Sequence, residues 1–252
     1  MFQTMLDSAR TARGVIRSLR IYRGDRERSA ALARHYGRFV ATGDLVFDIG
    51  SHVGDRVAAF RRLGARIVAV EPQPALARTL RLIHGRDRAV AVEAAAVGRR
   101  AGSIALSLNL DNPTVSTASP EFIAAAQDAP GWEGQRWSRT VEVPMTTLNA
   151  LIARHGVPRF IKIDVEGYEA ETLAGLTVPV AALSFEFTTI QRDVAEAAIA
   201  RCVALGFTGF EASLGESLAF VHGERLAAEA MTQWLMALPD RANSGDIYAT
   251  RD

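Results

Sequence analysis

From Leu45 onward, short unbroken apolar runs alternate with stretches whose apolar residues recur at helical spacing. "LVFDIG" (45–50) and "ARIVAVEP" (65–72) read as buried parallel strands, apolar on both faces. "DRVAAFRRLG" (55–64) and "PALARTLRLIHG" (74–85) read as helices, the first with Asp55 at its start, the second with Pro74 in its first turn, each closed by glycine. "AVAVEAAAVG" (89–98) reads as a third strand. Strand and helix in this rhythm mean βαβ units, a parallel sheet and right-handed crossovers. After a two-faced strand at 102–108, the rhythm breaks over residues 109–138, which are polar, rich in Pro, Ser, Thr and Gly, and carry two tryptophans. So long an insertion in a compact domain is usually functional or disordered; it is expected to be a substrate-side loop with a short helix near Pro120–Gln127. The rhythm returns with a strand and helix over 140–156, strands at 159–167 ("RFIKIDVEG") and 180–187 ("VAALSFEF"), and helices at 168–176 and 191–206. Strands are expected at 207–212, 217–222 and 245–251, with a helix over 224–238 between the last two.

The first forty residues form an N-terminal helical extension, and 41–252 the main domain. Phe2, Met5, Leu6, Ala9, Ile16 and Leu19 repeat near helical spacing, with Arg10, Arg13, Arg17 and Arg20 between them. Such a helix covers the domain, meets a second copy in a homodimer, or lies on a membrane surface. No apolar run is long enough for a secretory signal core or a transmembrane helix. The net charge of +1 invites no nucleic acid. The single cysteine, Cys202, excludes an internal disulfide, suits a buried position and fits a reducing, cytoplasmic setting.

Chemistry is expected at the carboxyl ends of the strands, where open parallel sheets bind ligands. These ends read Asp48-Ile-Gly50-Ser51-His52-Val-Gly54, then Glu71-Pro72, then Ala95-Ala96, then Asp164-Val-Glu166-Gly167, then Glu186. Glycines let the first strand turn sharply into a helix and let a ligand touch backbone. Glu71 follows Asp48 by 23 residues, which suits an acceptor for two ribose hydroxyls. A nicotinamide dinucleotide would use the same places, but its loop carries G-x-G-x-x-G and offers N–H groups to a diphosphate. Here the middle glycine is missing and a carboxylate stands at the mouth. At 4 Å, a unit charge of opposite sign gains roughly 4 kcal/mol at an effective dielectric near 20, and one of like sign loses as much. The acid-rimmed loop therefore selects a cationic sulfonium cofactor, S-adenosylmethionine.

All but one of the 29 basic residues are arginines, the exception being Lys162. A lone lysine marks a place where a point charge fits and a planar fork does not. In an extended segment Lys162, Asp164 and Glu166 share a face, so three ionisable groups converge at one strand's exit and shift one another's pKa. Asp164, Glu166 and Glu186 are the candidate general bases for a hydroxyl acceptor, with Lys162 holding a carboxylate ionised or meeting the acceptor oxygen; His52 and His222 are secondary candidates. No zinc-type Cys/His set is present; a divalent cation on Asp164 and Glu166 remains an alternative.

"FDIGSHVG", "VAVEP", "AAAVG", "VPMTTLNALI", "FIKIDVEGYE" and "SFEF" follow one another as in the FkbM-type methyltransferases, which the chain resembles over about residues 44–190. The resemblance implies a Rossmann-like class I methyltransferase fold: a mostly parallel seven-stranded sheet with helices on both faces. It implies O-methylation of a sugar, glycolipid or polyketide-type small molecule. It places Asp48, Gly50 and Gly54 at the amino-acid end of S-adenosylmethionine, Glu71 on the ribose, the Ala95–Ala96 backbone beside adenine, and Asp164 and Glu166 toward the reacting centre. Ser51 and His52 replace the family's usual Ala-Asn pair.

Overall fold

A computed structural model describes residues 2–251, with side chains from Leu6 onward. The side chains of Phe2 and Met5, part of the expected apolar stripe, lie outside the described residues. Two helices come first, α1 (Phe2–Arg23) and α2 (Arg26–Tyr36). Asp25 caps α2 by accepting from the Glu27 and Arg28 N–H groups. Then follow β1 (Leu45–Ile49), α3 (Asp55–Arg62), β2 (Arg66–Val70), α4 (Pro74–His84) and β3 (Val90–Glu93). After an excursion described below come α6 (Leu148–His155), β7 (Phe160–Ile163), α7 (Glu169–Ala174), β8 (Ala182–Thr188) and α8 (Arg192–Ala204), and lastly β9 (Gly209–Leu214), α9 (Ala228–Ala237) and β10 (Ser244–Thr250).

The main sheet has seven strands in the order β3-β2-β1-β7-β8-β10-β9. Only β10 runs antiparallel to its neighbours. The chain moves outward from β1 to β3, then returns to place β7 on the other side of β1. This reversal opens a crevice between the carboxyl ends of β1 and β7. Both strands are fully buried, as runs apolar but for Asp48 and Lys162 require. Asp48 pairs with Lys162 in their register. On one face α6, α8 and α9 cover a core that includes Leu148, Ile161, Phe185, Cys202 and Leu235. On the other, α2 and α3 cover an aromatic core of Tyr36, Phe60, Phe160 and Tyr248. Among the described residues, no helix is long and apolar enough to cross a membrane.

Two sequence expectations are corrected. The run 89–98 is not one strand: β3 stops at Glu93, and β4 (Ala96–Val97) joins a separate sheet with β5 (Gly102–Leu108) and β6 (Arg139–Thr146), in the order β4-β6-β5. The strand expected within 140–156 is β6, so it belongs to that small sheet, antiparallel to β5. Arg139, Thr140, Glu142 and Pro144 are exposed, and such alternation suits a sheet with one wet face. Residues 217–222 form no strand. Phe220 makes one isolated bridge, to Ser213, because Gly215 and Leu218 take left-handed backbone and bend the segment so that Phe220 meets His35 and Tyr248.

The 109–138 insertion carries a 3₁₀ turn at Pro113–Val115 and the short helix α5 (Pro120–Ala126), where a helix is expected. It packs on a small core of its own, Val115, Phe122, Ala126 and Trp132, and Trp137 Nε1 donates to the Val115 carbonyl. α1 lies against it. Gly14 is seated so closely that a Cβ there would stand 2.5 Å from the Leu110 carbonyl oxygen, and Arg10 pairs with Asp111.

Gly50 is the tightest crossing at the end of the sheet. Its φ is +81°, and a Cβ on it would lie 1.7 Å from the Asp164 carbonyl oxygen. Gly50→Ala should therefore lose at least about 3 kcal/mol, or not accumulate as folded protein. Urea unfolding of the purified variant checks this; a stability within 1 kcal/mol of the parent, roughly the range of an ordinary substitution, contradicts it.

Candidate active site

The carboxyl ends of β1, β2, β7 and β8 open into one cleft, which α1 and the 109–138 segment roof. With the space open at its mouth, the cleft encloses about 960 Å³. Asp48, Gly50, Ser51, His52, Glu71, Pro72, Ala95, Ala96, Lys162, Asp164, Glu166 and Glu186 all line it. Gly54 does not. It turns the chain into α3 with φ +79°, and a Cβ there would meet Leu80 of α4 at 2.8 Å, so it faces a helix contact. His222 also lies elsewhere, its ring edge-on to Trp234 at 5.0 Å.

The half of the cleft at β1 and β2 is built on two buried carboxylates. Asp48 is 2% exposed, and its Oδ2 has no hydrogen-bond partner. Burial pushes its pKa up to about 6, against the pull of the Lys162 ammonium. Glu71 is equally buried, and burial pushes it up to about 8. Its two oxygens accept from the His52 N–H at 2.9 Å and the Gln73 N–H at 2.8 Å, which fixes its plane against the first loop. The His52 ring, its pKa lowered by burial to about 4, is neutral and stands edge-on to Tyr22 at 5.3 Å.

The half at β7 and β8 is organised by Lys162. Its Nζ donates to Asp164 and lies 4.0 Å from Asp246 Oδ1. Burial alone would lower the Lys162 pKa, but Asp164 and Asp246 overcome it and raise it. The exchange is mutual: burial would raise Asp164, yet the ammonium, with a hydrogen bond from Glu186, holds it down at about 2. Glu166 and Glu186 are raised well above the carboxylate range, first by burial and then by the Asp164 charge. The ammonium thus favours the ionised form of Asp164, while burial and the Asp164 charge favour the protonated forms of Glu166 and Glu186. The convergence expected from the sequence arises differently from simple alternation, because β7 ends at Ile163 and Glu166 takes left-handed backbone. Oxygens of Asp164, Glu166 and Glu186 lie within 4.8 Å of one another, a spacing that could bracket a divalent cation. One of the three, however, already carries an ammonium.

Several lining residues carry no mark in the sequence. Tyr22 comes from α1, Thr114 and Ser116 from the insertion, Tyr168 from the start of α7 and Glu216 from the turn after β9. Arg56 and Arg28 bind Asp55 at 2.6 and 3.3 Å and Glu216 at 3.0 and 2.9 Å, closing one rim. Asp246, whose carboxylate faces Lys162, did leave a signal: it is a lone acid within the otherwise apolar run of a strand, "GDIYAT".

The profile of the Methyltransferase FkbM domain matches residues 48–205, more than half of the chain. The protein belongs to the FkbM methyltransferase family. As such it is an S-adenosylmethionine-dependent methyltransferase. No curated protein sequence matches it. Solved structures similar to this FkbM chain include a TehB-like SAM-dependent methyltransferase from Corynebacterium glutamicum (11% identity, 88% of each chain covered, TM-score 0.45). Others are Aeropyrum pernix fibrillarin with natively bound S-adenosylmethionine (12% identity, 88% of this chain and 74% of that one, TM-score 0.45) and a SAM-dependent O-methyltransferase from Thermotoga maritima (14% identity, 90% and 65%, TM-score 0.41). At these values they stand as likenesses only.

Lys162 and Asp164 form a pair of which Lys162 is 2% and Asp164 28% exposed. Breaking such a pair from one side leaves an uncompensated charge. Lys162→Met should cost about 3–5 kcal/mol at neutral pH. Asp164, held at about 2 against an ordinary 3.8, stabilises the fold above the ordinary value and loses that contribution as pH falls through about 2. The gap between variant and parent should therefore shrink across that window. Urea unfolding at neutral and acid pH measures it; a gap that does not change with pH contradicts the assignment.

Proposed function

We propose that this chain transfers a methyl group to a hydroxyl oxygen of a sugar, glycolipid or polyketide-type small molecule, with Asp164 receiving the hydroxyl proton. The observation that carries this reading is the Lys162-held ionised carboxylate at the cleft, beside two protonated ones. A neutral hydroxyl needs an acceptor for its proton as the new C–O bond forms, and positioned acid–base groups typically contribute about 10²–10⁴-fold.

The cleft fits a sulfonium cofactor by its chemistry. Asp48 offers a buried carboxylate oxygen without a partner, the group a ligand ammonium satisfies. Glu71, its plane fixed by two N–H groups, would accept from the two ribose hydroxyls. Ala95 and Ala96, with side chains too small to fill the cleft, would let a flat base lie against backbone. Gly50, Ser51, His52 and Pro72 complete that wall. When bound, S-adenosylmethionine supplies an electrophilic methyl group on positive sulfur.

The protein's own residues would do the rest. Asp164 accepts a hydrogen bond from the acceptor hydroxyl and takes its proton. Lys162 keeps Asp164 ionised beforehand and fixes its orientation from behind. Glu186, which donates its proton to Asp164, and Glu166 limit the negative charge at the centre to one. That keeps an oxygen nucleophile from being repelled. Alignment of the reacting atoms contributes the larger share, up to roughly 7–11 kcal/mol. Tyr22, Thr114, Ser116 and Tyr168 form a polar and aromatic roof suited to hydroxyl-rich acceptors.

The two halves of the cleft should separate in mutants. Glu71→Ala should raise the S-adenosylmethionine dissociation constant at least tenfold by calorimetry. Asp164→Asn should leave that constant within tenfold of the parent and slow methyl transfer by about 10²–10⁴, read by mass spectrometry of labelled product in an extract of small molecules. Unchanged affinity in Glu71→Ala would sink the ribose assignment.

Asp48 adds a pH signature. With its pKa near 6, only about a tenth of the cleft carries its charge at pH 5. A cationic ligand favours the ionised form, so affinity should tighten about tenfold from pH 5 to 7. In Asp48→Asn the tenfold component that Asp48 contributes over that range should be lost.

A further inference from the structure

α4 lies beside the second half of α1. At its start, the Gln73 amide donates to the Pro113 carbonyl, in the turn on which Gly14 is seated; at its end, His84 meets Arg23. The outer surfaces of these two helices are of one kind. Arg17 and Arg20 on α1, and Arg78, Arg81, Arg86 and Arg88 on and just after α4, are all exposed. None of the six has an ion-pair partner among the described residues. α4 contains no acidic residue, although the whole chain has a net charge of only +1. Large aliphatic side chains stand among these arginines. Leu82 is 87% exposed, Ile16 and Ile21 are 49% and Ile83 is 38%.

Single exposed apolar residues are ordinary and need no cause. A leucine almost wholly in water, on a helix that with its neighbour exposes further aliphatics and six arginines without ion-pair partners, is a different pattern. It combines the two forces that hold a protein on an acidic bilayer: attraction to anionic headgroups and shallow insertion of aliphatic groups. Nucleic acid fits less well, since the protruding groups are aliphatic and offer no ring for a base to stack on. The geometry points to this α1–α4 face as a docking surface for an anionic lipid bilayer. Catalysis does not use these residues, yet the face adjoins the cleft: Tyr22 of α1 and Gln73 at the start of α4 both line it. A bilayer held here brings membrane-borne acceptors to the cleft's rim. That consequence, which selects a glycolipid among the acceptor classes, rests on the function proposed above; the docking does not.

Sedimentation of the full-length protein with vesicles tests the docking without any turnover. Vesicles of phosphatidylcholine with phosphatidylglycerol should carry the protein down, those of phosphatidylcholine alone should not, and added salt should release it. Each arginine neutralised should cost about fivefold in partition, so Arg78→Glu/Arg81→Glu/Arg86→Glu should lose at least 100-fold. Leu82→Ser should lose severalfold and keep the same salt dependence. Circular dichroism of each variant confirms the fold, and calorimetry with S-adenosylmethionine confirms an intact cleft. No binding of the parent to anionic vesicles, equal binding to neutral ones, unchanged binding of the arginine variant, or tighter binding of single-stranded RNA than of vesicles would each overturn the docking. They would leave the methyl-transfer reading untouched.

Discussion

The site depends on one buried ammonium. Lys162 lies in the middle of the sheet, 2% exposed, on a strand whose other residues are all apolar. A charge there is tolerable only if carboxylates meet it: Asp164 does so directly, by a hydrogen bond, and Asp246 adds its charge at 4.0 Å. Once the pairing exists, it decides which of the surrounding acids ionise. Asp164, closest to the ammonium, is held ionised; Glu166 and Glu186, facing the Asp164 charge, are held neutral. A guanidinium is a planar fork and an ammonium a compact point charge, so the two are not interchangeable at such a site. This gives a physical reason for the single lysine in a protein that otherwise uses arginine.

The second constraint is steric, and it ties the two halves of the cleft together. The turn after β1 passes so close to the Asp164 carbonyl that only a glycine fits at position 50. The β1 wall of the cleft and the Asp164 carboxylate are thus held by one backbone contact. A shift of the β1 loop would move Asp164 with it. Methyl transfer needs three atoms in line, so a rigid link between the donor's wall and the acceptor's base is worth more than additional contacts to either ligand.

Most of the central architecture is legible in the sequence because its signals are local. Mostly apolar runs identify β1, β2, β7 and β8, and the acids at or near their ends mark Asp48, Glu71, Asp164 and Glu186. The failures also have local causes. The run at 89–98 looks like one further core strand, but its second part, Ala96–Val97, joins the strand at 139–146 on a small, half-wet sheet. Two strands separated only by Ala94 and Ala95 read as one continuous run. The segment 217–222 has strand composition, yet two left-handed residues bend it into a turn that delivers Glu216 to the cleft. The roof is not legible at all. Tyr22, Thr114 and Glu216 are brought to the cleft by long-range packing, which leaves no periodicity in the sequence.

That roof also bears on why α1 exists. A Rossmann-like sheet leaves its strand ends open, and a methyl donor in water is wasted unless the acceptor displaces the solvent. α1 closes the opening with one side and meets solvent with the other. Gly14 and Ser18 are buried on the inner side, where Gly14 lets the helix backbone approach the insertion. Ile16, Arg17, Arg20 and Ile21 point away. Covering the cleft needs only the inner side, and a helix that did nothing else would be expected to carry mixed charges outward for solubility. Instead its outer side and that of α4 share unpaired arginines and exposed aliphatics, while the acids gather inside the cleft. The outer layer is thus basic, whereas the cleft beneath it mixes Asp48 with the Lys162–Asp164 pair and the Arg56 guanidinium.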